Sequence, residues 1–360
     1  MEFDGPLRLK LTGTSHGPSV GCELRGLPRG FPIDLLQVQA MLDRRAPVGR
    51  RVGTRRREED RLIVRSGLNR GRTNGGTFRA EVANTDVRRS DYDRMRDLPR
   101  PGHADFPARV RFGEAADLSG GGPFSGRMTV GIVIGGAICA QLLRPIGIEV
   151  VAFAREIGGV RARVAERARP AELIRAREAN EVSSADPAAA APMLESIARA
   201  RRGGDSVGGI VEARGYGVPV GWGEPFFDSI ESVLAHLLFS VPGVKAVEFG
   251  AGARVARLRG STNNDPWIWR NGRVVGARNR AGGILGGLAT GMPIVVRAAF
   301  KPTPSIAKPQ RTVDLRTRAA ALLRVSGRHD PCIVPRAVVV VESAVLLGLA
   351  EIGLAGGFLP

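Results

Sequence analysis

Residues 128–143 read Met-Thr-Val-Gly-Ile-Val-Ile-Gly-Gly-Ala-Ile-Cys-Ala-Gln-Leu-Leu, the longest apolar run in the chain. It is about a turn short of a bilayer span, and Gly131, Gly135 and Gly136 interrupt it. The run therefore predicts a buried helix, opened by Arg127, whose small residues let another helix approach closely. A second apolar helix is predicted from about Val334 to Glu351. Both start just after a polar motif, which places those motifs at helix amino termini, where backbone N–H groups favour anions.

Around these helices, Leu7–Thr12, Val20–Leu24, Leu62–Val64 and Phe78–Val82 read as short strands, and Asp34 caps a helix whose apolar positions Leu35, Val38, Met41 and Leu42 keep helical spacing. Further strands are predicted near 148–154, 206–213, 244–249 and 293–300, with a helix over 228–239. Two polar, alanine-rich helices near 165–180 and 191–202 suggest a surface excursion at about 160–203. Trp267 and Trp269 are placed in a loop. Residues 86–122 carry little apolar periodicity but many Gly, Pro, Asp and Arg, and long irregular stretches in compact domains are usually functional. Strands and helices mix without regular βαβ alternation, so the pattern supports an α/β or α+β class and no further.

Composition narrows the function. With 43% hydrophobic residues, 360 residues suffice for a sizeable core, taken as one domain over 1–360. The formal charge is +18, yet only Lys10, Lys245, Lys301 and Lys308 are lysines. A dedicated nucleic-acid module would interleave basic residues with stacking aromatics, and this chain is poor in Tyr and Trp. Its distinctive feature is local: Arg44, Arg45, Arg50, Arg51, Arg55, Arg56 and Arg57 crowd one stretch, suiting a small ligand with several anionic groups. Cys22, Cys139 and Cys332 lack metal-ligand spacing, so no zinc site or disulfide framework is expected. The amino terminus has no basic segment followed by an apolar one, so a cytoplasmic setting is expected.

Only four histidines occur. His16 sits in Gly13-Thr14-Ser15-His16-Gly17, His103 in Arg100-Pro101-Gly102-His103-Ala104-Asp105, and His329 in Arg328-His329-Asp330-Pro331-Cys332. Glycine-flanked histidines are commonly turn residues, whereas histidine beside arginine suits acid catalysis near neutrality. His236 lies in an apolar helical pattern and reads as structural.

These motifs, together with Asp205-Ser206-Val207-Gly208-Gly209, Val244 to Glu248, Asn279 with Ala281 to Gly287, and Lys301-Pro302-Thr303-Pro304-Ser305, carry an end-to-end resemblance to the chorismate synthase family. The resemblance implies a β-α-β sandwich, two antiparallel sheets around a helical layer, assembled as a homotetramer. It implies a carbon–oxygen lyase of the shikimate pathway and aromatic amino-acid biosynthesis. The reaction is anti-1,4-elimination of phosphate from 5-enolpyruvylshikimate 3-phosphate to chorismate, requiring reduced FMN without net redox change. Some members reduce their own flavin with NADPH and others do not. By matching position, His16 resembles the acid toward the leaving phosphate, His103 the histidine that protonates reduced flavin, and Asp330 the base for the ring proton. Asp330 also reads as a helix N-cap, since Pro331 follows, and both roles could hold. Ser15, Arg45, Arg51, Arg100, Arg127 and Arg328 match substrate-binding positions, and Ser125, Asn279, Lys301 and Ser305 match cofactor-binding ones. No metal, membrane or specific nucleic-acid partner is implied.

The chain departs from the family pattern at Thr14, where glutamate is usual, and at Pro123, Phe124 and Met128, where arginine, serine and glutamate are usual. If these four form one rebuilt patch, their effects should be coupled. A divergent paralogue with altered or lost activity, and a basic nucleic-acid-binding protein, are the alternatives to the enzyme.

Overall fold

The computed structural model describes residues 1–46, 59–85, 97–113, 119–325 and 330–359. An amino-terminal sheet has the strand order Glu2–Phe3, Arg8–Gly13, Ser19–Arg25, Phe78–Ala83, Ile63–Ser66, antiparallel throughout. Alternation dictates its inner face. Val20, Cys22 and Leu24 are buried at every second position of one strand and pair with Val82, Ala80 and Phe78 of the next. A second antiparallel sheet runs Val244–Phe249, Ile294–Phe300, Gly209–Tyr216, Glu149–Ile157, Val160–Arg161. Its strand 149–157 is buried on both sides: Val150, Ala152 and Ala154 join the main core, and Val151 and Phe153 pack with Leu173 outside it.

The helices are α1 (Leu35–Arg45), α2 (Asp105–Phe112), α3 (Thr129–Leu143), α4 (Pro170–Glu178), α5 (Pro187–Arg202), α6 (Ile230–Phe239), α7 (Gly260–Asn263) and α8 (Val334–Ala355). Asp34 caps α1, its side chain accepting from the backbone N–H groups of Leu36 and Gln37. Pro170 and Pro187 occupy the first positions of α4 and α5. Those prolines set starts later than 165 and earlier than 191. Met193 and Ile197 of α5 reach the main core.

α3 packs on the amino-terminal sheet, α8 on the carboxy-terminal sheet, and the two pack on each other. Backbone proximity explains the glycines. A Cβ on Gly131 would lie 2.6 Å from the carbonyl oxygen of Gly21, and one on Gly136 would lie 2.4 Å from Cα of Ser343. Both helices are apolar and long enough by composition to cross a membrane, yet most of their apolar surface is buried between the sheets.

One expectation is corrected. Trp267 and Trp269 lie on a strand, Trp267–Arg270, paired with Arg273–Gly276. The intervening Asn271-Gly272 has positive φ at both residues, 50° and 73°, which closes a two-residue hairpin between β-forming side chains.

Candidate active site

The polar motifs converge on a cleft of about 550 Å³ where α3 and α8 begin. Arg45 enters from the end of α1, Arg100 and His103 from the turn before α2, and Ser125 and Arg127 from the approach to α3. Lys301 and Ser305 come from the exit of strand 294–300, and Asp330 and Arg336 from the start of α8. Phe124, Val241, Phe300 and Ile333 add apolar wall.

Buried aspartates aim the cations. Asp60 accepts from Arg45 Nε at 2.9 Å and from Arg127 Nη1 at 2.5 Å. Burial opposes its ionisation, but Arg45 and Arg127 outweigh that and hold its carboxyl below the ordinary range. Arg45 is pulled down to about 10, first by burial and then by repulsion from Arg336 and Arg127, against the attraction of Asp60. Both partners shift downward: two guanidiniums favour the charge on Asp60, whereas burial and the nearby Arg336 and Arg127 disfavour the charge on Arg45. At neutral pH Arg45 remains a cation in either case.

Asp105 does the same for the second motif. Its Oδ2 accepts from Arg100 Nε at 2.7 Å and from the Arg100 backbone N–H at 3.0 Å, and its Oδ1 accepts from Arg100 Nη2 at 2.8 Å. His103 Nδ1 lies 2.6 Å from the same Oδ1. Burial works against the charge on Asp105, and hydrogen bonds from Arg100 and His103 outweigh it, so its carboxyl stays far below its usual value. Arg100 Nη1 donates to Ser305 Oγ at 3.1 Å, tying the motif to the segment after strand 294–300.

Asp330 accepts from Arg336 Nη1 at 2.8 Å through Oδ2, and Arg336 Nε donates to the carbonyl of Arg45. Oδ1 of Asp330 and Oγ1 of Thr303, both on cleft residues, are buried without a hydrogen-bond partner among the described residues. Such atoms are costly unless a ligand or water completes them. Lys301 donates to the carbonyl of Gly102. Burial and the neighbouring Lys245 pull its ammonium below its ordinary value.

The cleft thus unites Arg45, Arg100, His103, Ser125, Arg127, Lys301, Ser305 and Asp330. Ser15 and His16 are buried in the turn between strands 8–13 and 19–25, Ser15 Oγ lying 3.1 Å from His16 Nδ1, and do not line it. Asn84 links them to it: its amide donates to the carbonyls of Thr14 and Gly17, and its Oδ1 accepts from Arg127 Nε at 2.9 Å. Asn279 is elsewhere, its amide donating to the carbonyl of Pro293. Arg51 and Arg328 lie outside the described residues, as do His329 and the cluster Arg50 to Arg57.

Sequence reasoning missed Asp60, Asn84, Thr303 and Arg336. The acidic residues after the arginine cluster were a signal for Asp60, since a buried guanidinium needs a carboxylate. A smaller hollow of about 370 Å³ on another side of α8 is lined by Arg44, Arg177, Glu178 and Glu181. There Arg44 and Arg177 are already matched by Glu342.

Of the four departures, Pro123 and Phe124 line the cleft. Met128 is a main-core residue, 2% exposed, and Thr14 belongs to the His16 turn. The four therefore do not share one environment.

Comparison with known proteins agrees with this geometry. The family model described as Chorismate synthase matches residues 7–354. The chain is 47% identical over 352 residues to a protein named Chorismate synthase from Korarchaeum cryptofilum, covering 97% of this chain and 96% of that one. It is 47% identical over 345 residues to the Chorismate synthase of Thermococcus kodakarensis, covering 96% and 95%. A crystal structure of chorismate synthase superposes with a TM-score of 0.75 at 26% identity, over 97% of this chain and 92% of that one. A two-sheet sandwich around apolar helices, a cleft of aspartate-held arginines and a match along nearly the whole chain lead to one conclusion: the chain belongs to the chorismate synthase family.

Proposed function

We propose that this enzyme, a lyase of the chorismate synthase family, converts 5-enolpyruvylshikimate 3-phosphate to chorismate in the 550 Å³ cleft, using reduced FMN without net redox change. The observation that carries the reading is the convergence of Arg45, Arg100, Arg127, Lys301 and Arg336 around a carboxylate, Asp330, whose Oδ1 lacks a partner among the described residues. A substrate with one phosphate and two carboxylates needs such forked cations to offset repulsion between its own charges. The cleft also suits a flavin, because its donors are bordered by the apolar side chains of Phe124, Val241, Phe300 and Ile333. Ser125, Lys301 and Ser305 would hold that group, and Asn279 would join only from outside the cleft. When bound, reduced FMN supplies an electron-rich ring that eases loss of phosphate.

In the elimination, the ring C–H proton passes to a base, a C=C bond forms and the C–O bond to phosphate breaks. Asp330 Oδ1 is the acceptor for that proton, with Oδ2 held by Arg336. The arginines neutralise the departing phosphate. His16 keeps the role of its acid by matching position, and the turn that carries it is tied to Arg127 of the cleft through Asn84, which donates to the carbonyls of Thr14 and Gly17. His103 holds a proton toward the flavin. The chain is further proposed to act as one domain, to assemble as a homotetramer and to work in the cytoplasm.

The test is an anaerobic assay with chemically reduced FMN and the enolpyruvyl substrate, following chorismate and phosphate together. Equal amounts of both are expected. Neither product, or phosphate alone, would overturn the assignment. Pro123 and Phe124 on the cleft wall favour the divergent paralogue as a second reading, which predicts saturable substrate binding without turnover. The nucleic-acid alternative instead predicts binding that weakens steeply with salt and ignores these ligands.

A further inference from the structure

We propose that Asp105 is a positioning residue that fixes His103 as its Nδ1–H tautomer, leaving Nε2 as the nitrogen that exchanges a proton with the ligand in the cleft. The inference rests on His103 being the proton donor and adds the group that sets its state.

The geometry leaves little choice. A carboxylate accepts hydrogen bonds only, and Asp105 Oδ1 is 2.6 Å from His103 Nδ1. A lone pair on Nδ1 would set two acceptors against each other at that distance. Arg100 Nη2 lies 3.1 Å from the same Nδ1, but it already donates to Oδ1 at 2.8 Å, so both nitrogens are donors converging on one oxygen. Asp105 cannot turn away, since its Oδ2 is held by the side chain and the backbone of Arg100 and the residue is 2% exposed. His103 is therefore protonated on Nδ1 whether the ring is neutral or charged, and only Nε2 gains or loses a proton.

On the ring's far side, Nε2 lies beside the glycine-rich segment. A Cβ on Gly121 would come within 3.3 Å of His103 Nε2, so the glycine-rich segment before α3 makes room for it, and His103 itself lines the cleft. Among the described residues, Arg100 and Asp105 contact the ring, and Lys301 from the exit of strand 294–300 donates to the carbonyl of the neighbouring Gly102. Asp105 is the one carboxylate among these contacts. The same carboxylate orients Arg100, so it aligns an anion-binding cation and a proton donor together.

The test is ring ¹⁵N NMR of histidine-labelled full-length protein without added ligand, with the His103→Gln variant assigning the resonance. The neutral His103 ring is expected to carry its proton on Nδ1. Asp105→Ala is expected to move that proton to Nε2, because Nδ1 then accepts from Arg100. A purely structural role would reduce kcat without moving the proton from one ring nitrogen to the other. A wild-type neutral ring protonated on Nε2 overturns the proposal, and this spectrum serves even if no variant folds. An unchanged tautomer in folded Asp105→Ala also overturns it. Normal turnover in His103→Ala would instead remove the donor role while leaving the tautomer result standing, so the two readings fail separately.

Discussion

Asp60 meets two guanidiniums at once, and its removal should be felt by both. Asp60→Asn leaves Arg45 and Arg127 buried beside a neutral amide, a change that costs about 3–5 kcal/mol when a buried pair loses one partner. Chemical denaturation should show that loss, and the KM for the anionic substrate should rise. Unchanged stability would mean the arginines find other acceptors. The pH dependence follows from the sign of the shift. Asp60 has a depressed folded value, so its contribution is full above the ordinary carboxylate value of about 3.9 and is lost as pH falls below it toward the folded value. The wild type should therefore lose stability in that acid window, and Asp60→Asn should lose less there. His16→Ala and His103→Ala should each lower turnover by about two to four orders of magnitude with the fold intact, the usual range for a lost general acid. Turnover near the parent level in either would strip that histidine of its role.

At the scale of elements, the contact between α3 and α8 is close enough to be tested by one substitution. Gly136 has no room for a Cβ because Ser343 presents backbone there, which cannot swing aside. Gly136→Val should cost at least about 1–3 kcal/mol by overpacking, measured as a lower denaturation midpoint. A neutral result would mean that the two helices can slide apart. Met128 leads into α3 and packs in the main core, so Met128→Glu places a carboxylate among apolar side chains and should cost several kcal/mol. Phe124→Ser, on a residue 38% exposed at the cleft, should alter kinetics more than melting temperature. The Thr14→Glu, Pro123→Arg, Phe124→Ser and Met128→Glu quadruple variant should then be dominated by Met128→Glu. A quadruple variant more stable than Met128→Glu alone would restore the idea of one coupled patch.

Across the whole molecule, the cleft is a meeting of distant segments. Glu342 of α8 accepts from Arg44 of α1, Arg177 of α4 and the backbone of Ala152, which binds both helices and a sheet strand to the helix that carries the cleft's carboxy-terminal wall. Because substrate and flavin would share these arginine-lined walls, FMN should bind more tightly when the phosphorylated substrate is present. Isothermal titration checks this, and identical FMN affinity with and without substrate would remove the shared-site argument. Local chemistry in the sequence determined much of the rest. Alternation specified Val20, Cys22 and Leu24 as an inner face, Asp34 and the prolines placed helix starts, and glycines in an apolar run marked a core helix. The Arg100 to Asp105 motif was legible because its partners lie within five residues of each other. Only the tertiary structure decided that Asp60 holds Arg127 across 67 residues, that Arg336 reaches Arg45 across 291, and that Asn279 stands apart from Lys301. Periodicity reports which face of an element is apolar, while pairing of buried charges depends on which elements the packed core brings side by side, and no local pattern encodes that.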